Sequence, residues 1–300
     1  MGTERTIVVA GEALIDLVPA GEGGMLSAHA GGGPFNVARA AARLGAPVSF
    51  LGRLSTDRFG VTLRAALAAD GVGLATAVAT DAPTTLAVAE VGADGAADYR
   101  FYADGTSAPG LTHEDLARVL PNAMATLCVG TLGLVFEPSA TALEHAVARV
   151  GAGVLVAVDP NVRPAAITDP AAFRARLDRI MARADLVKAS ADDLAWLRPG
   201  LDPVAAMQTI PARLRIITLG GDGALIVPAT GDPIPIAAPH VDVVDTIGAG
   251  DAFLGALLAD LTQAGLADLE RAIKATTFAC RVAALTCTRA GADPPRRSDL

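Results

Sequence analysis

The stretch Asp245-Thr246-Ile247-Gly248-Ala249-Gly250-Asp251-Ala252-Phe253 follows a short apolar run and opens a segment of helical character. A helix start leaves about four backbone N–H groups without partners and carries roughly half a positive charge. Because glycines let an anion approach those groups closely, we predict an anion cradle at Gly248, Ala249 and Gly250. Asp251, at the rim of the cradle, would repel a phosphate. It is instead expected to accept a proton from a hydroxyl-bearing reactant, with a pKa that the helix start lowers.

The alternative to a catalytic site is an ordinary helix start, in which an aspartate caps the helix after a glycine-rich turn. A second stretch argues against it: Ala30-Gly31-Gly32-Gly33-Pro34-Phe35-Asn36-Val37-Ala38, followed by Gly45. The two stretches resemble, in the right order, the C-terminal and N-terminal signatures of the PfkB-type carbohydrate kinases, which include ribokinases and fructokinases. The resemblance runs over nearly the whole chain. It implies an ATP-dependent sugar kinase in which Asp251 deprotonates a sugar hydroxyl.

Composition excludes several other classes of protein. The chain has 300 residues, of which 52% are hydrophobic, and a net charge of −8. Its longest cluster of basic residues is the pair Arg296-Arg297, which argues against nucleic acid or an anionic membrane surface as a partner. The only lysines, Lys188 and Lys274, do not follow a glycine, so a Walker A loop is excluded. Three cysteines without CxxC spacing and the lack of a long apolar run favour a reduced, cytoplasmic protein.

Apolar runs and helical patterns alternate along most of the chain. Strands are expected at residues 6–10, 48–51, 126–130, 153–158, 185–188 and 215–219, with helices at 34–44, 57–69, 139–150, 170–183, 202–213 and 269–285. This rhythm predicts an α/β fold: a doubly wound, mostly parallel sheet with helices on both faces and ligands at the carboxyl ends of the strands.

One segment breaks the rhythm. Three successive strands are expected at residues 74–79, 85–91 and 97–102, with a hairpin turn at Asp94-Gly95, and they predict a small separate sheet. We divide the chain into an α/β core and a β lid. The core comprises residues 1–11, 31–73 and 104–300, and the lid comprises residues 12–30 and 74–103. In the family such a lid covers the sugar and often forms a dimer surface, so the resemblance implies a homodimer.

The resemblance also implies a sugar site, for which we predict Asp16, Gly31, Gly32, Asn36, Phe101 and Arg163. Asp16 ends the family's opening Gly-Glu-x-x-x-Asp, and Asn36 offers both a donor and an acceptor to sugar hydroxyls. Neighbouring aromatic residues in a strand point to opposite faces, and of the pair Phe101-Tyr102 the first is taken as the ligand-facing one. Arg163 lies in Asp159-Pro160-Asn161-Val162-Arg163-Pro164, whose ordinary alternative is a strand-end turn.

An ATP site is implied at two further strand ends, and for it we predict Lys188, Ser190, Thr218, Gly220, Gly223 and Phe278. The first five of these belong to Lys188-Ala189-Ser190-Ala191-Asp192-Asp193 and to a glycine loop that begins at Thr218. Asp193 is expected to reach Mg²⁺ through water, although Ser190 with Asp193 also reads as a helix capping box. The glycine loop could equally be a hairpin turn, and Phe278 could be core.

A monovalent cation, potassium, is implied where the family's closing loop meets the cradle, near Asp245, Ile247 and Gly291. Among sugars, fructose leads because of the Gly-Glu-Ala-Leu-Ile-Asp opening, the lid end Phe101 to Thr106, and the Asp-Pro-Asn-Val-Arg-Pro run. 2-Keto-3-deoxygluconate and ribose remain open, since Ala103 stands where a basic residue is frequent in fructokinases. A non-catalytic sugar or nucleotide sensor is the alternative of another class. A dinucleotide-binding dehydrogenase is excluded because Asn36 replaces the third glycine of its fingerprint.

Overall fold

The computed structural model describes residues 6–20, 24–91, 97–121, 123–264 and 268–300. Its strands are Ile7–Ala10 (β1), Leu14–Pro19 (β2), Leu26–Gly31 (β3), Val48–Leu51 (β4), Arg53–Ser55 (β5), Val78–Thr80 (β6), Leu86–Val91 (β7), Ala97–Tyr102 (β8), Thr126–Gly130 (β9), Leu155–Asp159 (β10), Leu186–Ser190 (β11), Leu214–Thr218 (β12), Ala224–Ile226 (β13) and Ile234–Ile236 (β14). Its α-helices are Gly33–Arg43 (α1), Arg58–Ala69 (α2), His113–Val119 (α3), Ser139–Arg149 (α4), Pro170–Met181 (α5), Ala191–Leu197 (α6), Pro203–Gln208 (α7), Ala249–Ala264 (α8) and Leu269–Cys287 (α9).

The main sheet contains eight of the described strands, in the order β14-β13-β12-β11-β10-β9-β1-β4. From β12 to β4 the neighbouring strands run parallel, and β13 and β14 are antiparallel at one edge. In β1, Ile7 and Val9 belong to one hydrophobic core, and Val8 and Ala10 belong to the other. Because helices cover both faces, the strand has no solvent face and is apolar throughout. The predicted doubly wound α/β class is confirmed.

Close packing of α1 against α8 brings the two signature stretches together. Gly255 of α8 lies against α1 so tightly that a Cβ atom there would come within 2.6 Å of the Ala40 Cβ and 2.8 Å of the Val37 carbonyl oxygen. Each helix begins at a glycine-rich segment, Gly33 in α1 and Gly248 before α8. Side chains in the first turn of one helix therefore meet those of the other.

The separate sheet has the order β3-β2-β7-β8. Its register sets Asp16, Ala87 and Phe101 opposite one another across three strands, so they share one face. The strand expected at residues 74–79 is instead β6, which pairs with β5 in a two-stranded sheet and is not part of the lid sheet. The predicted turn Asp94-Gly95 lies outside the described residues.

Helix α7 ends at Gln208 instead of continuing to residue 213 as expected. Pro211 accounts for the difference, because the residue before a proline is sterically disfavoured in helical conformation. Helix α6 precedes it, with Ser190 as its N-cap, at a position where we expected only a capping box. None of the helices in the described ranges has the length and apolar character that crossing a bilayer requires.

Candidate active site

Two cavities lie where the parallel strands end. The acidic cavity, of about 310 Å³, is lined by the side chains of Glu12, Asp16, Asn36, Arg163, Lys188 and Asp251 among others. The apolar cavity, of about 290 Å³, is lined by the glycine loop that begins at the end of β12, by residues in the range 238–243, by the start of α8, and by helix α9. Thr246 and Gly250 line both cavities. A group that passes from one cavity to the other would therefore cross the start of α8.

Asp251 lies in the first turn of α8 and lines the acidic cavity. Asn36 Nδ2 donates a hydrogen bond of 2.9 Å to Asp251 Oδ2 across the contact between α1 and α8. Burial raises the pKa of Asp251 above its ordinary value, although the hydrogen bond from Asn36 and the charges of Lys188 and Arg163 act in the opposite direction. Our expectation of a lowered pKa was wrong, because loss of solvent outweighs the helix start. A raised pKa makes Asp251 a better proton acceptor.

The predicted cradle is only partly available to a ligand. Gly248 has φ +75°, and a Cβ atom there would lie 2.6 Å from the Ala292 Cβ, so only glycine fits. Gly248 and Gly250 line the acidic cavity. The N–H group of Ala249 donates at 3.2 Å to the Thr246 carbonyl oxygen, and Ala249 lines the apolar cavity.

Asp16 enters the acidic cavity from the lid sheet. A Cβ atom at Gly31 would lie 2.0 Å from Asp16 Oδ2, so Gly31 leaves space for this carboxylate but does not itself line the cavity. Gly32 does line it. Burial and the negative charge of Asp251 raise the pKa of Asp16 to about 6, against the opposing charge of Arg163. Arg163 is exposed, and its Nη1 donates to the Val162 carbonyl oxygen at 3.1 Å.

Phe101 lines the acidic cavity together with Tyr99, which the sequence analysis did not include. The two rings stack with centroids 6.4 Å apart, and Phe101 meets Phe136 edge to face at the same distance. Tyr102 points away and is 55% exposed. Alternation along β8 was the available signal, because residues 99 and 101 share a face. A cleft of about 600 Å³ along β8 is larger, but it contains neither the cradle nor Asp251.

Glu12 is a second residue that the sequence analysis missed. It is 1% exposed, and its carboxylate accepts hydrogen bonds from the N–H groups of Gly33 (3.1 Å) and Gly133 (2.9 Å). Burial raises its pKa to about 8. An ionisable residue within two positions of the end of a buried strand was the signal that could have identified it. Glu12 ties the start of α1 to the turn after β9, and so fixes the helix that carries Asn36.

Comparison with known proteins places this site in a family. A model of pfkB family carbohydrate kinases matches residues 4–299. The chain belongs to the pfkB family of carbohydrate kinases. A fructokinase of Rhizobium leguminosarum bv. trifolii is 36% identical over 268 residues, which cover 87% of this chain and 81% of that relative.

Solved structures of the family agree with this assignment. A fructokinase of Xylella fastidiosa with bound ATP superposes with a TM-score of 0.88 at 29% identity, covering 97% of this chain and 94% of that one. A fructokinase of Vibrio cholerae O395 with fructose, ADP and calcium gives 0.84 at 28% identity, with 96% and 94% covered. The protein is an ATP-dependent sugar kinase of the PfkB type.

Within this PfkB kinase, the residues predicted for ATP separate into two groups. Thr218, Gly220 and Gly223 line the apolar cavity. Lys188 instead lines the acidic cavity, and Ser190 lines neither, because its hydroxyl caps α6.

Phe278 also does not line the apolar cavity. It packs against the core, and the face of α9 toward the cavity carries Cys280, Ala283, Ala284 and Cys287. Residues at this spacing lie on one face of a helix, and position 278 is not on that face. The aromatic residue that does line the cavity is Phe253 of α8.

Asp193 does not fit a direct contact with a metal ion. Its Oδ1 accepts from the Val162 N–H at 2.7 Å, and its Oδ2 accepts from the Ser190 N–H at 2.8 Å and the Ser190 hydroxyl at 2.7 Å. Both oxygens are thus used to cap α6 and to hold the loop after β10. In the described part of the chain, no group of three or more His, Cys, Asp or Glu residues is arranged to hold a metal ion.

The two loops predicted to share a potassium ion are adjacent in the kinase. Asp245 Oδ1 accepts from the Ile247 N–H at 3.0 Å, and its Oδ2 accepts from the Gly291 N–H at 2.8 Å. The Asp245 side chain therefore joins the loop before α8 to the closing loop. The potassium site itself stays a prediction.

Proposed function

We propose that this kinase transfers the γ-phosphoryl group of ATP to a hydroxyl of fructose. The observation that carries the proposal is the junction of the two cavities at Thr246 and Gly250, beside Asp251. The acidic cavity, with its hydroxyl-binding groups, suits a sugar. The apolar cavity on the other side of the junction suits an adenine base. The relatives named fructokinases support fructose as the acceptor.

The sugar would be held on the lid side of the acidic cavity. Asp16 accepts hydrogen bonds from hydroxyls, and Phe101 with Tyr99 provides an aromatic face for the ring. Asn36 Nδ2 is committed to Asp251, whereas its Oδ1 is buried and has no partner among the described residues. A buried amide oxygen without a partner is costly, so it is suited to accept from a sugar hydroxyl.

Asp251 would take the proton of the attacking hydroxyl, and Asn36 fixes its carboxylate for that step. The N–H groups at Gly248 and Gly250 would lie against the transferring phosphoryl group, where preformed donors stabilise developing charge. Mg²⁺, when bound with ATP, supplies charge neutralisation at the phosphates. The adenine base would rest between Phe253 and the stripe of α9 that includes Ala283.

A neutral sugar suits the charges of the acidic cavity better than a sugar acid does. Three carboxyl groups line it, those of Glu12, Asp16 and Asp251. Of the two cations that line it, Lys188 is already paired with Asp159. The carboxylate of 2-keto-3-deoxygluconate would therefore depend mainly on Arg163 and would lie beside the carboxylates of Asp16 and Asp251, and like charges repel strongly where water is excluded.

A second copy of the chain is the proposed partner, through the outer face of the lid sheet. Met25 precedes β3, Leu26 begins β3 and Tyr102 ends β8, and these residues are 62%, 48% and 55% exposed. Large apolar side chains that a second copy would cover support the proposal. Light scattering coupled to size exclusion is expected to give twice the chain mass, and Leu26→Glu is expected to give the monomer.

The experiment that tests the substrate is ADP release with ATP and a panel of sugars. We expect fructose to give the highest kcat/KM. A tenfold higher value for 2-keto-3-deoxygluconate would reverse the ranking. The sensor alternative predicts calorimetric binding of ATP and sugar without ADP release from any member of the panel.

A further inference from the structure

A buried ion pair lies beneath the cradle. Asp159 ends β10 and Lys188 lies on the neighbouring strand β11. Each is 4% exposed, and Lys188 Nζ donates to Asp159 Oδ2 at 2.8 Å. A buried pair of this kind contributes little to stability, because the loss of hydration offsets the attraction. The burial of this pair between two central strands therefore requires an explanation other than stability.

The Lys188 ammonium group lies beside the cradle. Lys188 lines the acidic cavity, and a Cβ atom at Gly250 would lie 3.2 Å from its Nζ. An ammonium group has three N–H donors, and Asp159 takes one of them. Gly250 leaves space for the others next to the first turn of α8, where Asp251 lies.

Asp159 also faces Asp251. Its Oδ1 is buried and accepts no hydrogen bond within the described residues. Asp159 and Asp251 both line a void of about 10 Å³ behind the acidic cavity. Asp251 thus lies next to Lys188 at the acidic cavity and next to Asp159 at the void.

Lys188 is the buried cation among the charged groups that face Asp251. The titratable groups that line the acidic cavity or the void with Asp251 are Glu12 after β1, Asp16 on β2, Tyr99 on β8, Cys128 on β9, Asp159 on β10, Arg163 after β10, and Lys188 on β11. Three of these groups, those of Glu12, Asp16 and Asp159, are carboxyls, whose negative charge opposes ionisation of Asp251. Arg163 is exposed, so its charge is screened by solvent, whereas the charge of Lys188 is not.

We propose that Lys188 and Asp159 are positioning residues of the phosphoryl transfer: Asp159 holds the Lys188 ammonium group beside Gly250, and that charge keeps Asp251 in its proton-accepting, ionised form. This inference rests on the proposed role of Asp251. It assigns Lys188 to the base and not, as the sequence suggested, to ATP.

The test is the pH dependence of kcat/KM from pH 4 to 9, measured with whichever sugar gives the highest turnover. Lys188→Met is expected to move the acid limb upward by about one pH unit or more, because an opposite charge nearby shifts a pKa by roughly 1–3 units. Asp159→Asn is expected to move the limb downward, since it removes a negative charge and frees the ammonium group. Lys188→Arg, which restores the charge, is expected to return the limb toward its original position.

Lys274→Met is the matched control, because Lys274 is exposed and pairs only with Glu270 among the contacts of its side chain in the described structure. Its profile is expected to superimpose on that of the unchanged protein. A Lys188→Met variant that is slower but keeps its acid limb in place would overturn the inference. If Lys188→Met does not fold, the direction in which Asp159→Asn moves the acid limb decides. An acid limb that stays in place or moves to higher pH would overturn the inference. Sugar turnover by the unchanged protein tests the proposed function separately.

Discussion

The Asp70 carboxylate joins three segments of the core, and its removal is expected to lower the free energy of unfolding. Asp70 follows α2 and its side chain is 2% exposed. Its Oδ2 lies 2.7 Å from Arg39 Nε, and its Oδ1 lies 2.8 Å from Arg43 Nε and 3.0 Å from Arg296 Nη2. Arg39 and Arg43 belong to α1, and Arg296 belongs to the C-terminal segment.

The expected loss of unfolding free energy in Asp70→Asn depends on the other partners that the arginines retain. Removing one partner of a buried ion pair costs about 3–5 kcal/mol. Arg39 retains the Ala292 carbonyl oxygen at 3.3 Å, and Arg43 retains Asp293 at 2.5 Å. We therefore expect the loss at the low end, about 3 kcal/mol. At about 2–4 °C per kcal/mol for large domains, Tm should fall by roughly 6–12 °C.

Urea denaturation at pH 7 and at pH 3 measures this effect. Burial raises the pKa of Asp70, but Arg43 and Arg39 outweigh it and hold the pKa below its ordinary value. The contribution is therefore fully present above the unfolded pKa of about 3.9, and it is lost as the pH falls through the lower folded value. The difference between Asp70→Asn and the unchanged protein should accordingly shrink at pH 3.

Asp178→Asn is the control, since Asp178 is 50% exposed and pairs with Arg198 at the surface. A surface pair contributes about 0–1 kcal/mol. If Asp70→Asn destabilises the protein no more than Asp178→Asn does at pH 7, the account of the cluster is wrong.

Three further results are expected. Phe101→Ala should raise KM for the sugar about tenfold without changing KM for ATP. Tyr102→Ala should change neither KM value. Equal effects of the two substitutions on KM for the sugar would show that Phe101 is not part of the sugar site. Ala283→Phe, which fills the apolar cavity, should raise KM for ATP. Phe278→Ala should lower Tm and leave KM for ATP unchanged. A raised KM for ATP in Phe278→Ala, with no change in Ala283→Phe, would show that Phe278 contacts the adenine base. Turnover in potassium should exceed turnover in tetramethylammonium, and equal rates would remove the predicted cation site.

The sequence predicted the main sheet because its strands are buried on both faces and appear as short apolar runs. Each of the two glycine-rich stretches also predicted a helix start, and the packing of those two helices brings Asn36 and Asp251 together. The strand at residues 74–79 was misplaced because alternation identifies a strand but not its sheet. Pairing with Arg53–Ser55, which is distant in sequence, decided its place.

The residue positions that the sequence did not predict depend on three-dimensional packing. Which stripe of α9 faces the apolar cavity is set by its contact with neighbouring elements, and this excluded Phe278. Lys188 is the last residue of the strand predicted at residues 185–188, but the direction of its side chain depends on a partner 29 residues away, Asp159. Glu12 was missed because its role depends on backbone N–H groups at Gly33 and Gly133, which no motif encodes.

The most direct test of the account is kcat for Asp251→Asn, with ATP affinity and a melting curve measured beside it. Asparagine keeps the size of the side chain but cannot take the proton of the sugar hydroxyl. General-base catalysis contributes about 10²–10⁴-fold, and lost orientation of the hydroxyl adds to it, so kcat should fall by at least about 10³. ATP affinity and Tm should stay close to those of the unchanged protein. A variant that melts normally and keeps more than about a tenth of the original kcat would show that Asp251 is a helix cap and not the base.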